Sequence, residues 1–160
     1  MEKEYGAVTR RGLYEADDLM AMGQDDNSII CSIDKDLLQV AGHHFNFVKN
    51  VYRIVEEEEG NRLLYSQMLT GDTSDGIPGT NGVGPKTAEK LLKSVSSPFM
   101  MYCVVLNEYM QKTPLEEGEI SRVDQKFLER IVHLVRTHAR LLYLLRSEDD
   151  SWEAPKQEEV

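Results

Sequence analysis

The sequence predicts an α/β protein, a parallel sheet within about residues 1–70 followed by an all-helical part. Residues 28–33 (SIICSI) are β-branched and almost wholly apolar, the pattern of a strand buried in a parallel sheet, and the run stops at Asp34. Short helical stretches flank that strand at the spacing of βαβ units. Further along, apolar residues recur along helix faces.

Taken in order, residues 5–9 (YGAVT) read as a short strand ending in the basic turn Arg10-Arg11-Gly12. Residues 15–23 read as a helix that opens on acids, as the helix dipole favours. After the buried strand come a short helix over 36–40 and a strand at either 45–48 or 51–55. Residues 56–70 form a helix with an acidic start (56–59) and Leu63, Leu64, Met68 and Leu69 turned inward. Glycine and proline punctuate 71–85, and Pro85 at a first helical position opens the next helix, over 86–93. A helix over 99–111 and a loop over 113–119 lead to a long amphipathic helix over 121–145. Its apolar face holds Phe127, Leu128, Ile131, Leu134, Val135, Leu141, Leu142 and Leu145. The segment from Ser147 is acidic and expected to fray. The organisation is therefore 1–70, 71–146 and an acidic tail over 147–160.

At 160 residues the chain has the size of one domain and buries a core without disulfides or a structural metal. Its longest apolar run, residues 99–106, is eight residues, against the roughly 18–20 a membrane helix needs. Residues 1–12 hold no signal-peptide core, and Cys31 and Cys103 stand far apart in no motif, so the expectation is reduced thiols in the cytoplasm. The net charge of −10 argues at first against nucleic acid. The acids are unevenly spread, however: the tail and 56–59 hold ten of them and three short motifs hold seven more, leaving 11 acids against 17 Lys and Arg. A nucleic-acid partner stays open once the seven are set aside as cation ligands.

The first motif is Glu15-Ala-Asp17-Asp18, where Glu15 and Asp18 share a helix face; an ordinary acidic helix start is the other reading. The second, Ser32-Ile-Asp34-Lys-Asp36, follows the buried strand, where open α/β sheets bind ligands, and two carboxylates there suit a hard cation. Asp34 alone reads equally as a helix cap. The third is Gly71-Asp72-Thr-Ser-Asp75-Gly76-Ile-Pro-Gly79, which on its own also describes a turn. Directly after it, Gly82-Val83-Gly84-Pro85-Lys86-Thr87-Ala88 runs a glycine hairpin into a helix N-terminus, exposing backbone N–H groups suited to phosphate. Arg122, Lys126 and Arg130, with Arg136 and Arg140 further on, repeat along the long helix as phosphate contacts or as a solvated face. His43, His44, His133 and His138 show no ligand spacing and read as surface or packing residues, and Trp152 near the acidic tail is not expected to dock back on the domain.

Together, Glu-Ala-Asp-Asp, Ser-Ile-Asp-Lys-Asp-Leu-Leu-Gln and Gly-Asp-Thr-Ser-Asp-Gly-Ile-Pro-Gly followed by Gly-Val-Gly-Pro-Lys-Thr-Ala resemble the 5′→3′ exonuclease and flap-endonuclease family over about residues 10–95. The forms around 33–39 and 67–72 look most like the phage exonuclease branch, which implies a role in DNA replication in a host cytoplasm. The resemblance implies a partial PIN-like (5′ nuclease) parallel sheet, a helix–three-turn–helix DNA-binding region and C-terminal helices. It implies that Glu15, Asp17, Asp18, Asp34, Asp36, Asp72 and Asp75 are catalytic ligands of Mg2+ or Mn2+, as two ions. It further implies that Gly82, Val83, Gly84, Lys86 and Thr87 grip duplex DNA, with a K+ ion at the hairpin, and that the substrate is DNA with a 5′ end or flap. Relatives carry a strand with a metal-binding aspartate, another aspartate and a basic helical arch ahead of Glu-Ala-Asp-Asp, which the 14 residues before Glu15 do not accommodate. The expectation is a truncated nuclease. A second polypeptide supplying the N-terminal part, a fragment and a non-catalytic DNA-binding remnant stand as the alternatives.

Overall fold

The computed structural model describes residues 14–157, so the strand expected over 5–9 lies outside the described residues. Helix α1 (Ala16–Met22) opens on Asp17 and Asp18 in its first turn and stops at Gly23. Strand β1 (Ile29–Cys31) pairs in parallel with β2 (Gly42–Asn46), and β2 pairs antiparallel with β3 (Val51–Val55), in the order β1-β2-β3. The sheet is thus mixed rather than parallel. The expected strand at 51–55 forms as placed, whereas the one expected at 45–48 runs over 42–46 with 47 and 48 in the turn. A tight hairpin joins the two: the Asn46 side chain accepts the Val48 and Lys49 N–H groups, and Asn50 takes the left-handed conformation at φ 53°.

The expected double-sided burial of β1 does not hold. Only Ile30 is covered, by Ala21, Leu37, Val40 and Leu144, while Ile29 and Cys31 face solvent on the other side. A 3-10 turn, Asp36–Gln39, sits between β1 and β2 and places Leu37 in this small core.

Helix α2 (Glu57–Thr70) joins this layer to the rest of the molecule. Glu56 to Glu59 give it the acidic start, and Leu64, Tyr65, Met68 and Leu69 bury its inner face. Its Gly60 lies against the 3-10 turn, where an added Cβ would stand 2.3 Å from the Gln39 carbonyl oxygen, so nothing larger than glycine allows this approach. The two-residue strands β4 (Gly71–Asp72) and β5 (Ile77–Pro78) then close an antiparallel turn. Gly71, at φ 73°, faces the backbone of residues 77–79 at a distance that excludes a Cβ.

Helix α3 (Pro85–Leu92) begins with proline at its first turn and buries Ala88 and Leu92. Helix α4 (Pro98–Lys112) is capped by the Ser97 hydroxyl, which accepts the Met100 N–H. Helix α5 (Gln125–Leu142) is shorter at both ends than the expected 121–145. Asp124 caps it by accepting the Lys126 N–H, and Tyr143 leaves in an extended conformation. The stripe Phe127, Ile131, Val135, Ala139 and Leu142 packs with α2, α3 and α4 into the main core, while Leu141, assigned to that face, is 63% exposed. The chain beyond α5 folds back instead of fraying: Leu144 enters the small core, and Trp152, 5% exposed, enters the main one against Tyr102. No described helix is long and apolar enough to cross a membrane.

Candidate acidic metal cleft

Six of the seven candidate carboxylates line one cleft of about 330 Å3: Glu15, Asp17, Asp18, Asp36, Asp72 and Asp75. They come from three separate places, the start of α1, the 3-10 turn and the turn after α2. Gln67 lines the same cleft, and residues 140–145 form the opposite wall. Asp34 lies apart. It lines a neighbouring hollow with Lys35, Lys49 and Arg53, and its Oδ1 accepts the Asp36 backbone N–H at 2.9 Å one residue ahead of the cap position, which Lys35 occupies.

Each carboxylate has its own surroundings. Asp18 Oδ1 accepts the Leu145 N–H at 2.9 Å, tying α1 to the returning chain. Asp36 Oδ1 accepts from both Gln67 Nε2 at 2.7 Å and Lys35 Nζ at 2.9 Å. Asp72 accepts the Ser74 N–H at 2.8 Å, and that bond, helped by Lys35 at 3.9 Å, holds its carboxyl below the usual range against the opposing effect of burial. The bond to Asp36 in turn raises the Lys35 ammonium pKa. Among the described residues, Glu15, Asp17, Asp18 and Asp75 form no ion pair.

This donor set suits a hard divalent cation: carboxylate oxygens gathered with too little positive charge, and the Lys35 ammonium standing between Asp36 and Asp72 where a cation is favoured. As arranged, no three acidic, imidazole or thiol groups among the described residues converge closely enough to hold one ion.

At the glycine hairpin, Gly82 takes φ 71°, and a Cβ at Gly82 or Gly84 would meet nothing within 4 Å. That face is open to an approaching backbone. Gly84, Lys86 and Thr87 are exposed, whereas the Val83 side chain is buried in the main core and offers only its backbone outward. Of the regularly spaced bases, Arg122 and Lys126 are exposed and Arg130 is half-buried, and all three donate to groups of the chain itself. Arg122 donates to the Met110 and Thr113 carbonyls, Lys126 to that of Glu117, and Arg130 to that of Pro114 and to the Glu119 carboxylate.

Sequence reasoning gave no role to Gln39 and Gln67, and it weighed Arg140 only as a phosphate contact or solvated base, not as part of the cleft wall. Gln67 carried a signal: it falls on the inward stripe of Leu64, Met68 and Leu69, where an amide in an apolar row calls for a polar partner. His138 is buried, and its Nδ1 lies 2.8 Å from the Tyr109 hydroxyl, which donates to the Met68 carbonyl; burial lowers the imidazole pKa. This packing role agrees with the absence of ligand spacing around it.

No family model matches the chain. It is 36% identical over 103 residues to the DNA polymerase I of Deinococcus radiodurans, covering 56% of this chain and 11% of that protein. It is 34% identical over 103 residues to the flap endonuclease Xni of Shewanella amazonensis, covering 55% of this chain and 41% of that protein. It is 31% identical over 140 residues to a 5′-3′ exonuclease of Mycoplasmopsis pulmonis, covering 76% and 46%. The chain therefore has homologues among 5′-3′ exonucleases and flap endonucleases at about 30% identity, and it spans less than half the length of each of these three.

Proposed function

We propose that the chain carries the acidic cleft and duplex grip of a metal-dependent 5′→3′ exodeoxyribonuclease or flap endonuclease. The observation that carries this reading is the gathering of six carboxylates from three distant segments around one cleft in a chain with such homologues. Glu15, Asp17, Asp18, Asp36, Asp72 and Asp75 would hold Mg2+ or Mn2+. Bound there, a pair of such ions supplies an activated water and stabilises the leaving oxygen of a phosphodiester. The chain's own part is to bind and orient. The glycine hairpin would present Gly82, Val83 and Gly84 backbone, Lys86, Thr87 and the positive end of α3 to phosphates of the duplex, where a K+ ion would add positive charge. Sequence forms around 33–39 and 67–72 favour the phage exonuclease branch.

A second reading, DNA binding without cleavage, is favoured by the position of Asp34 outside the cleft and by the engagement of Asp36 with Lys35 and Gln67. One experiment separates the two. A 5′-flap and a blunt duplex are incubated with the purified chain and Mg2+, Mn2+ or chelator. The nuclease reading expects metal-dependent product that Asp72→Ala abolishes. Salt-sensitive binding with no product under any metal supports the second reading, and product that persists in Asp72→Ala removes the carboxylates from the reaction.

A further inference from the structure

We infer that Gln39 and Gln67 form a buried amide relay whose task is to orient Asp36 and commit one of its two oxygens. The inference rests on the metal-cleft reading above. Gln67 and Gln39 are 7% and 5% exposed, and three hydrogen bonds join them in series to the cleft wall. Gln39 Nε2 donates to the Leu142 carbonyl at 2.8 Å and to Gln67 Oε1 at 2.8 Å, and Gln67 Nε2 donates to Asp36 Oδ1 at 2.7 Å.

The polarity of the series follows from its ends. A backbone carbonyl only accepts, so the Gln39 atom facing Leu142 must be its nitrogen. That same nitrogen faces Gln67, whose near atom must therefore accept and is its oxygen. The far atom of Gln67 is then the nitrogen, and it can only donate to Asp36. Both amides are locked in one orientation by a carbonyl at the last turn of α5. Gln39 keeps this orientation although its Oε1 is buried with no partner. An amide serving stability alone would be expected to satisfy both ends.

Asp36 Oδ1 thus receives two donors of different kinds. Lys35 is exposed on a flexible stem, and a divalent ion, carrying twice its charge, displaces it. Gln67 is neutral, buried and anchored, so it stays. What remains is an aspartate with Oδ1 held by an amide and Oδ2 free to face an ion. Gln67 and Gln39 are positioning residues that act through Asp36. Partners of this kind change metal affinity by about 10–100-fold when removed.

Mn2+ alone is the probe, titrated into the full chain and followed by electron paramagnetic resonance, with thermal melting recorded for each variant. Gln67→Met is expected to weaken Mn2+ binding about tenfold, and Gln39→Met, which frees the Gln67 amide to rotate, to weaken it several-fold. In an Asp36→Ala background Gln67→Met should change nothing further. Wild-type affinity in both Gln variants, or an equal loss with and without Asp36, overturns the relay. A wild-type chain that binds no Mn2+ overturns the cleft reading itself, a distinguishable result. One measurement needs no variant: in the wild-type chain the Gln67 side-chain amide protons should exchange slowly and shift on Mg2+ addition, and fast exchange with no shift sinks the inference.

Discussion

Arg130 grips the Glu119 carboxylate with two N–H donors, Nε at 2.7 Å and Nη2 at 2.8 Å, a fork that holds the Glu119 pKa at about 2. Because the folded value lies below the ordinary one, this carboxylate contributes stability above pH about 4.5, and the contribution is lost as pH falls towards 2. The wild-type melting temperature should therefore fall more steeply over that interval than that of Glu119→Gln, and the Glu119 carboxyl carbon should titrate near pH 2 by NMR. A midpoint in the usual carboxylate range would mean the fork is not formed in solution. The regular spacing of Arg122, Lys126 and Arg130 was visible in the sequence, but their partners were not. They are chiefly backbone carbonyls of residues 110–117, and a carbonyl carries no side-chain signature. Asp36 is similar: its residue type was legible, while the amides that hold it come from positions 3 and 31 residues away.

Among elements, the contact of α2 with the 3-10 turn governs the shape of the cleft, and Gly60 governs the contact. Alanine there gains about 1 kcal/mol of helix propensity but drives a Cβ against a backbone carbonyl that has no rotamer to yield. Gly60→Ala is thus expected to destabilise by about 1–2 kcal/mol net, within the usual cost of overpacking, read as a lower urea midpoint at unchanged slope. At α3 the expectation concerns binding. Lys86→Ala should weaken duplex affinity about equally for all sequences and reduce the salt slope of log affinity by about one, as loss of one phosphate contact does. An unchanged slope would take Lys86 out of the interface. Helices were the most legible elements, since Pro85 and Ser97-Pro98 mark where two of them start, although the apolar stripe of α5 overran the helix at both ends. The hairpin was the least. Its loop carries exposed Phe47 and Val48 and no glycine, and the turn is made by the Asn46 side chain and a left-handed Asn50 instead. With that hairpin unread, the sheet was expected to be parallel.

For the whole molecule, the chain after α5 is what unites the two cores. Leu144 packs with Ile30 and Leu37, Leu145 is bonded to Asp18, Arg146 donates to the Gln39 carbonyl, and Trp152 packs with Tyr102. The Arg140 guanidinium fastens this stretch by donating to the Trp152 carbonyl and pairing with Glu153. Its acidic composition pointed to fraying because one buried tryptophan outweighs several solvated acids in energy but not in count. Trp152→Ala should cost about 3–5 kcal/mol, the usual range for a buried aromatic, and a variant with a wild-type urea midpoint would show the stretch to be undocked. The same closure sets a schedule for synthesis on the ribosome. All six acids of the cleft are translated by residue 75, yet the wall that faces them begins at residue 140. A nascent chain at any point between lacks that wall, so the cleft is not enclosed until the last helix and its return have left the exit tunnel.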